Sequence, residues 1–305
     1  MIVALWSGPR NLSTALMYFF AHRGDFQVLD EPFFGAFLKQ YPVYRPSREL
    51  VLQNMELEPL KVLKLLQAKA ENGPLFLKNM ANHISLVPKG AALEWRAILL
   101  FRHPAAVIAS YRKNMAEISL FDLAYREQWQ WLQELQKAGK GYYLLDSDAL
   151  AQNPEVELRK LCEHLQIPFS KSMLQWPAGA LKEDGLWARF WYQRVHQSTG
   201  FETQQILDLP AISSEDLDLY QKCLAYYKRL KNASYEQIIR SEQMKNILKI
   251  DDLVNPRERS IPISRPLFLT SITSPEIIFM AAINTISDRI INITRRSKSK
   301  ASKKA

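Results

Sequence analysis

The sequence predicts an α/β fold: a parallel sheet with helices on both faces, followed by a loosely structured C-terminal extension. Three observations predict it. Short, wholly apolar runs alternate with longer stretches of helical period. The first of these runs passes through a glycine-containing loop directly into a helix. From about Ser241 onward the periodicity is lost.

The elements follow in order. Ile2 to Trp6 reads as a buried strand, Ser7 to Leu12 as loop, and Ser13 to His22 as a helix. Gln27 to Leu29 is a second strand, ending at Asp30-Glu31-Pro32. Residues 47–72 carry a helical period. Leu75 to Leu77 is a third strand, followed at once by Lys78. Arg96 to Phe101 is a strand stopped by Arg102-His103-Pro104, and Ala105 to Asn114 and Asp122 to Ala138 are helices. Gly141 to Asp146 is a further strand, and Pro154 to Leu165 a helix with Leu158, Leu161, Cys162 and Leu165 at helical spacing. Residues 166–205 are irregular and aromatic, either a substrate-side lid or packing over the sheet edge. Leu217 to Leu230 reads as the last helix of the body.

The chain has 305 residues, 47% of them hydrophobic, enough for a sizeable core without disulfides or structural metal. Domains average roughly 100–200 residues, so one large domain (1–240) with an appendage (241–305) is expected. Cys162 and Cys223 fall on apolar helix faces and read as reduced core thiols; no metal-ligand spacing involves them. The net charge of +9 is concentrated at the end, where seven basic residues and no acid follow Asp288. Removing those seven leaves +2 for residues 1–288, which predicts no specific nucleic-acid partner. The tail leaves open a weak contact with a membrane surface or with another copy. Met1 to Trp6 is too short for a signal h-region, and Pro275 and Glu276 interrupt the apolar stretch 266–286, so a cytoplasmic protein is expected.

The first loop carries the earliest chemical signal. In a strand–Gly turn–helix layout, backbone N–H groups converge at a helix N-terminus, where an anion is also favoured by the dipole. Arg10 adds a charge, and Ser13 and Thr14 add hydroxyls. Gly8 is followed by Pro9-Arg10-Asn11-Leu12-Ser13, with neither the second Gly nor the Lys of a Walker A loop, so ATP or GTP hydrolysis is disfavoured. A simple capped turn is the bland alternative. Arg102 follows a strand at its carboxyl end, where open α/β sheets place ligands, and Ser110 lies eight residues on. The two can converge on one phosphate if both face the same crevice.

Together these segments resemble the P-loop-type sulfotransferases. Ser7-Gly8-Pro9-Arg10-Asn11-Leu12-Ser13-Thr14 resembles their 5′-phosphosulfate loop, and Arg102 through Ser110 their 3′-phosphate motif. Asn153-Pro154-Glu155 through Phe169 resembles a late helix these enzymes share. The chain looks more closely like a divergent bacterial-type sulfotransferase-like family, through Lys78-Asn79-Met80-Ala81-Asn82-His83 and Ser198-Thr199-Gly200-Phe201. The resemblance covers roughly residues 1–230. It implies a P-loop-type parallel sheet and 3′-phosphoadenosine 5′-phosphosulfate as sulfuryl donor, held by Arg10, Asn11, Leu12, Ser13, Thr14, Arg102 and Ser110. The acceptor is then a hydroxyl or amine of a small molecule. Two departures stand out. Asn11 and Leu12 replace the usual Ser and Gly, and Leu12 brings a Cβ where close approach favours glycine. The Lys-Gly-x-x-Gly-Asp-Trp loop is absent, and Lys182 to Trp187 resembles it only loosely.

Sulfuryl transfer needs donors for developing charge, a base for the acceptor and in-line positioning. None of these requires a metal, and no metal cluster is visible in the sequence. Glu31 and His83 are the base candidates; Lys78 is a candidate to stabilise the leaving phosphate. The alternatives are a cap or ion pair for Glu31, a core or capping role for His83, and a solvated strand end for Lys78. A catalytically degenerate nucleotide-binding module is the alternative function, favoured by Asn11 and Leu12. A P-loop kinase would need magnesium ligands and a loop Lys that the sequence does not offer. Residues 255–263 look like the linker of longer relatives that continue into a branched-chain aminotransferase-like domain. Only 50 residues follow Asn255, and their lysines all lie in the basic tail, so no pyridoxal phosphate binding is expected. A helix near Pro275 to Ile293 is expected there.

Overall fold

The computed structural model describes the backbone of residues 1–201 and 209–254 and the side chains of residues 1–201 and 209–243. Met1–Leu248 forms one compact unit. The elements of the described residues, in chain order, are β1 (Ile2–Ser7), α1 (Ser13–Ala21), β2 (Gln27–Asp30), α2 (Phe34–Gln40), α3 (Arg48–Asn54), α4 (Pro59–Glu71) and β3 (Leu75–Met80). A 3-10 turn (Ala81–Leu86) leads to α5 (Lys89–Ala92), β4 (Arg96–Phe101), α6 (Pro104–Tyr111), α7 (Leu120–Leu123), α8 (Tyr125–Lys137) and β5 (Tyr142–Asp146). α9 (Ser147–Gln152), α10 (Pro154–His164), α11 (Ala188–Trp191), α12 (Gln193–Gln197) and α13 (Leu217–Val254) follow.

The five strands pair entirely in parallel, in the order β2-β3-β1-β4-β5. Side chains alternate across a strand, so a sheet covered on both faces needs apolar residues at every position. β1 obeys this rule. Ala4 and Trp6 enter the core shared with α2, α4 and α8, while Val3 and Leu5 enter the core shared with α1 and α10. Leu77 and Phe76 of β3, and Leu99 and Ile98 of β4, divide in the same way. The connection after β1 leads toward β2 and that after β4 toward β5. These opposite departures open a crevice at the carboxyl edge, the usual ligand position in such sheets.

Several sequence-level helices are split. The period over 47–72 belongs to α3 and α4; Glu58 is extended because it precedes Pro59. The stretch beginning at Asp122 is interrupted at Ala124, whose left-handed φ of 58° separates α7 from α8. α13 runs well beyond Leu230, to Val254. Leu230 and Ala233 pack into the core, and Gln237 accepts the Leu144 backbone N–H at 2.9 Å. No Gly or Pro interrupts 217–254, so nothing in the covalent chain stops the helix where its apolar face ends. The helix expected near 275–293 and the apolar stretch 266–286 lie outside the described residues. Among the described residues no helix is long and apolar enough to cross a membrane.

Candidate active site

All ten residues nominated from sequence line one cavity at the carboxyl edge of the sheet: Arg10, Asn11, Leu12, Ser13, Thr14, Glu31, Lys78, His83, Arg102 and Ser110. The loop after β1 is pinned from behind. The Asn11 Nδ2 donates to the Leu100 carbonyl at 3.1 Å, and Ser147 Oγ donates to the Asn11 carbonyl at 2.6 Å. Gln128 Nε2 donates to both the Trp6 and Leu100 carbonyls. Gly8 is required by space, since a Cβ there would meet the Leu123 carbonyl oxygen at 2.7 Å. Asn11 is thus a buried strut of the loop. Leu12 and Arg10 take left-handed φ values of 65° and 61°. An L-residue there costs roughly 1–2 kcal/mol. Leu12 therefore adopts the backbone a glycine would take freely, with its side chain partly buried against the core on the α1 and α10 face of the sheet. No side chain caps α1, and no acid lies in its first turn. Its first residues, Ser13 and Thr14, line the cavity, and an uncapped helix N-terminus of this kind can hold an anion.

Cations cluster beside this N-terminus. Arg10 Nε donates to Ser110 Oγ at 2.9 Å, and its Nη1 to the Trp191 carbonyl at 3.1 Å. Arg102 donates to the Arg10 carbonyl at 3.2 Å and to Asp148 Oδ1 at 3.1 Å. Ser110 and Arg102 therefore meet through Arg10. Burial, then the charges of Arg102 and Arg194, lowers the Arg10 pKa. Arg194 is exposed at the cavity wall, and no ion pair engages it among the described residues.

Strand register builds the second part of the site. Asp30 and Lys78 are direct neighbours on β2 and β3. Lys78 Nζ donates to Asp30 Oδ1 at 2.7 Å, Glu31 Oε1 at 2.7 Å and Tyr192 Oη at 2.6 Å. Lys78 is only 2% exposed, so the solvated strand-end reading does not describe it. All three ammonium hydrogens are engaged, leaving none for a leaving phosphate in this arrangement. The two carboxylates raise the Lys78 pKa well above its usual value against the opposing effect of burial. Burial raises the Glu31 pKa above its ordinary 4.5, with Lys78 opposing and Asp30 adding to the rise. Glu31 also has a left-handed φ of 44°, and sparsely populated backbone conformations cluster at functional sites.

His83 sits between Phe34 and Phe37, with ring centroids at 5.6 and 4.6 Å. Burial, with the Lys78 and Arg45 cations, holds its pKa well below 6.5, so the imidazole is neutral. Arg45 and Asp122, which sequence reasoning passed over, line the same cavity as a 2.6 Å ion pair. Asp122 is fixed in turn by Ser119. Tyr111 lies within electrostatic reach of Arg45, Asp122, Glu31 and Arg10, and its phenol pKa is pushed up to about 12, chiefly by burial. The aromatic segment predicted as lid or edge packing supplies Trp176, Trp187, Trp191 and Tyr192 to the wall. Its Ser198-Thr199-Gly200-Phe201 end is held to Leu174–Trp176 through Trp176 N–H···Thr199 O and Phe201 N–H···Leu174 O. Among the described residues no group of His, Cys, Asp or Glu is placed to hold a metal.

The fold of this chain is similar to the sulfotransferase domain from the Synechococcus PCC 7002 olefin synthase. The identity is 17% and the TM-score 0.47, covering 74% of this chain and 95% of that one. The sulfotransferase domain from the curacin biosynthetic pathway matches with 16% identity and a TM-score of 0.45, over 74% and 97% of the two chains. Among curated proteins, the chain is 37% identical to branched-chain-amino-acid aminotransferase-like protein 2 of Arabidopsis thaliana. That match covers 75% of this chain and 41% of the relative. It is 35% identical to branched-chain-amino-acid aminotransferase-like protein 1 of the same plant, over 76% and 42%. The match thus spans about two-fifths of the length of these curated relatives. The model of the sulfotransferase domain matches residues 1–234, taking in the pinned loop, the arginine cluster and the carboxylate–lysine network, and the chain belongs to that family.

Proposed function

We propose that this chain transfers the sulfuryl group of 3′-phosphoadenosine 5′-phosphosulfate to a hydroxyl or amine of a small acceptor. One observation carries the reading: an uncapped helix N-terminus with Arg10, Arg102 and Ser110 shares a cavity with Glu31, whose proton affinity is raised. Arg10, Arg102 and Arg194 line one cavity, and this gathering of guanidinium groups fits a polyanionic donor. When bound, that donor supplies the sulfuryl group and a phosphate leaving group. The α1 N-terminus, Ser13 and Thr14 hold the phosphosulfate end; Arg102 and Ser110 hold the 3′-phosphate. Glu31 accepts the proton of the acceptor as its oxygen or nitrogen bonds to sulfur and the sulfur–phosphate oxygen bond breaks. Glu31 suits this role better than His83. A base works best when its conjugate acid titrates near the working pH, and burial drives Glu31 toward that range and His83 away from it.

A binding module without turnover is favoured by one feature, the two side-chain-bearing left-handed positions, Arg10 and Leu12, in the donor loop. The test has two stages. Calorimetric titration with 3′,5′-adenosine bisphosphate, with and without magnesium, is expected to give the same binding in both buffers. Absence of binding overturns the donor assignment. Sulfuryl transfer from labelled donor to a panel of hydroxyl and amine acceptors then separates the enzyme from the module.

A further inference from the structure

The phenol of Tyr192 uses every hydrogen-bonding capacity it has. Its oxygen accepts from Lys78 Nζ at 2.6 Å and from Trp187 Nε1 at 3.0 Å, and its hydrogen goes to Asp30 Oδ2 at 2.7 Å. Asp30 Oδ2 also accepts the Gly185 backbone N–H at 2.9 Å. Asp30 thereby receives three donors, and Lys78 is oriented by three acceptors, of which Glu31 is one. The Lys78 ammonium also lies 5.0 Å from the Tyr192 ring centroid. The residue before it, Trp191, receives Arg10 through its carbonyl and stacks on Tyr111 at 5.4 Å. Consecutive residues of one short segment therefore hold the donor-loop arginine and the carboxylate network. A structural tyrosine in a core would need one partner for its hydroxyl; this one has three, of which Lys78 contacts Glu31 directly and Asp30 acts on it through Lys78.

We propose that Tyr192 is a positioning residue, whose hydroxyl fixes Lys78 and Asp30 so that Lys78 holds Glu31 in its productive orientation. This rests on the sulfuryl-transfer reading for its catalytic meaning, but not for its geometry. The charged groups facing Glu31 are Lys78, Asp30 and Arg45, with the phenols of Tyr192 and Tyr111 beside it. In Tyr192→Phe, Asp30 loses a donor and its full charge pulls Lys78 away from Glu31. In Asp30→Asn, the competing carboxylate is gone and Lys78 leans toward Glu31. The two substitutions therefore move Glu31 in opposite directions.

The experiment follows the Glu31 side-chain carboxyl by carbon-13 NMR across pH in the full chain, without substrate. The titration midpoint should rise in Tyr192→Phe and fall in Asp30→Asn. Shifts of the same sign, or no shift in either, overturn the proposal. If Tyr192→Phe does not fold, Tyr192→His takes its place, and a Glu31 midpoint unchanged from the parent in that variant overturns the proposal. Bisphosphate calorimetry on the parent chain tests the donor reading separately. Where turnover is measurable, Tyr192→Phe should lower kcat about tenfold or more with the donor KM nearly unchanged, since misplacement of about 1 Å can cost on the order of 100-fold. A raised donor KM with unchanged kcat overturns the positioning role.

Discussion

Replacing Arg102 with alanine separates a binding role from a structural one, because the two have different magnitudes here. The guanidinium is partly open, with side-chain exposures of 24% for Arg102 and 34% for its partner Asp148. Ion pairs of that kind contribute about 0.2–1 kcal/mol. In a body of this size, about 1 kcal/mol moves the melting temperature by roughly 2–4 °C. Loss of a hydrogen bond to a charged group costs about 1.5–3 kcal/mol. At about 1.4 kcal/mol per tenfold, this weakens a bound phosphate by about 10- to 150-fold. The bond from Arg102 to the Arg10 carbonyl adds about 0.5–1.5 kcal/mol, so Arg102→Ala should melt only a few degrees lower and bind 3′,5′-adenosine bisphosphate much more weakly by calorimetry. If Arg102 holds the phosphate, Asp148 competes for the same guanidinium, and Asp148→Asn should bind the bisphosphate at least as tightly as the parent. An unchanged Kd in a folded Arg102→Ala protein would refute the assignment of Arg102 to the phosphate.

Glu31→Gln should keep bisphosphate affinity and lose turnover by about 100-fold or more, while His83→Ala should lose far less, measured with labelled donor. Equal losses would return His83 to consideration as the base. Because the Glu31 pKa is raised in the folded chain, the acid limb of kcat/KM should have its midpoint above 4.5. For the same reason the contribution of Glu31 to stability is greatest below 4.5 and is lost as pH rises through the folded pKa, which melting curves across pH will reveal. Gly8→Ala places a Cβ 2.7 Å from the Leu123 carbonyl oxygen, and overpacking of this kind costs about 1–3 kcal/mol. Thermal stability and bisphosphate affinity should both fall; no change in either would mean the loop and α7 separate freely. Removal of residues 241–305 spares Leu230, Ala233 and the Gln237–Leu144 contact, so the truncated chain should still unfold cooperatively and bind bisphosphate.

The sheet was legible in the sequence because a doubly covered strand has no polar face to hide. Val3-Ala4-Leu5-Trp6 and Ala97-Ile98-Leu99-Leu100-Phe101 could be read as buried strands without knowing their neighbours. The helices were less legible at their ends, where local geometry overrides period. Ala124 breaks a continuous apolar pattern with a left-handed φ that no composition signal announces. The far part of α13 failed for the opposite reason. Its described residues beyond Ala233 are mostly exposed, and a solvated helix has no amphipathic pattern to read.

The site divides along the same physical line. Gly8, Arg10 and Ser13 could be nominated because a strand–turn–helix loop is local chain geometry, and Arg102 because it sits where a strand ends. Lys78 was nominated from its position, but its burial between two carboxylates depends on the register Asp30↔Lys78, which is a property of pairing. Tyr192 was legible only as one aromatic of a lid or edge-packing segment; its place beside Lys78 was not, because it stands 114 residues away in a segment without period. Yet its partners limit what it can be. A buried lysine flanked by two carboxylates leaves an excess negative charge in the network, and desolvation makes such an excess costly unless further donors answer it. The Tyr192 hydroxyl and the Gly185 N–H answer it at Asp30. Glu31 receives only Lys78 among the described groups, so the remaining proton affinity of the network is concentrated on the carboxylate that lines the cavity.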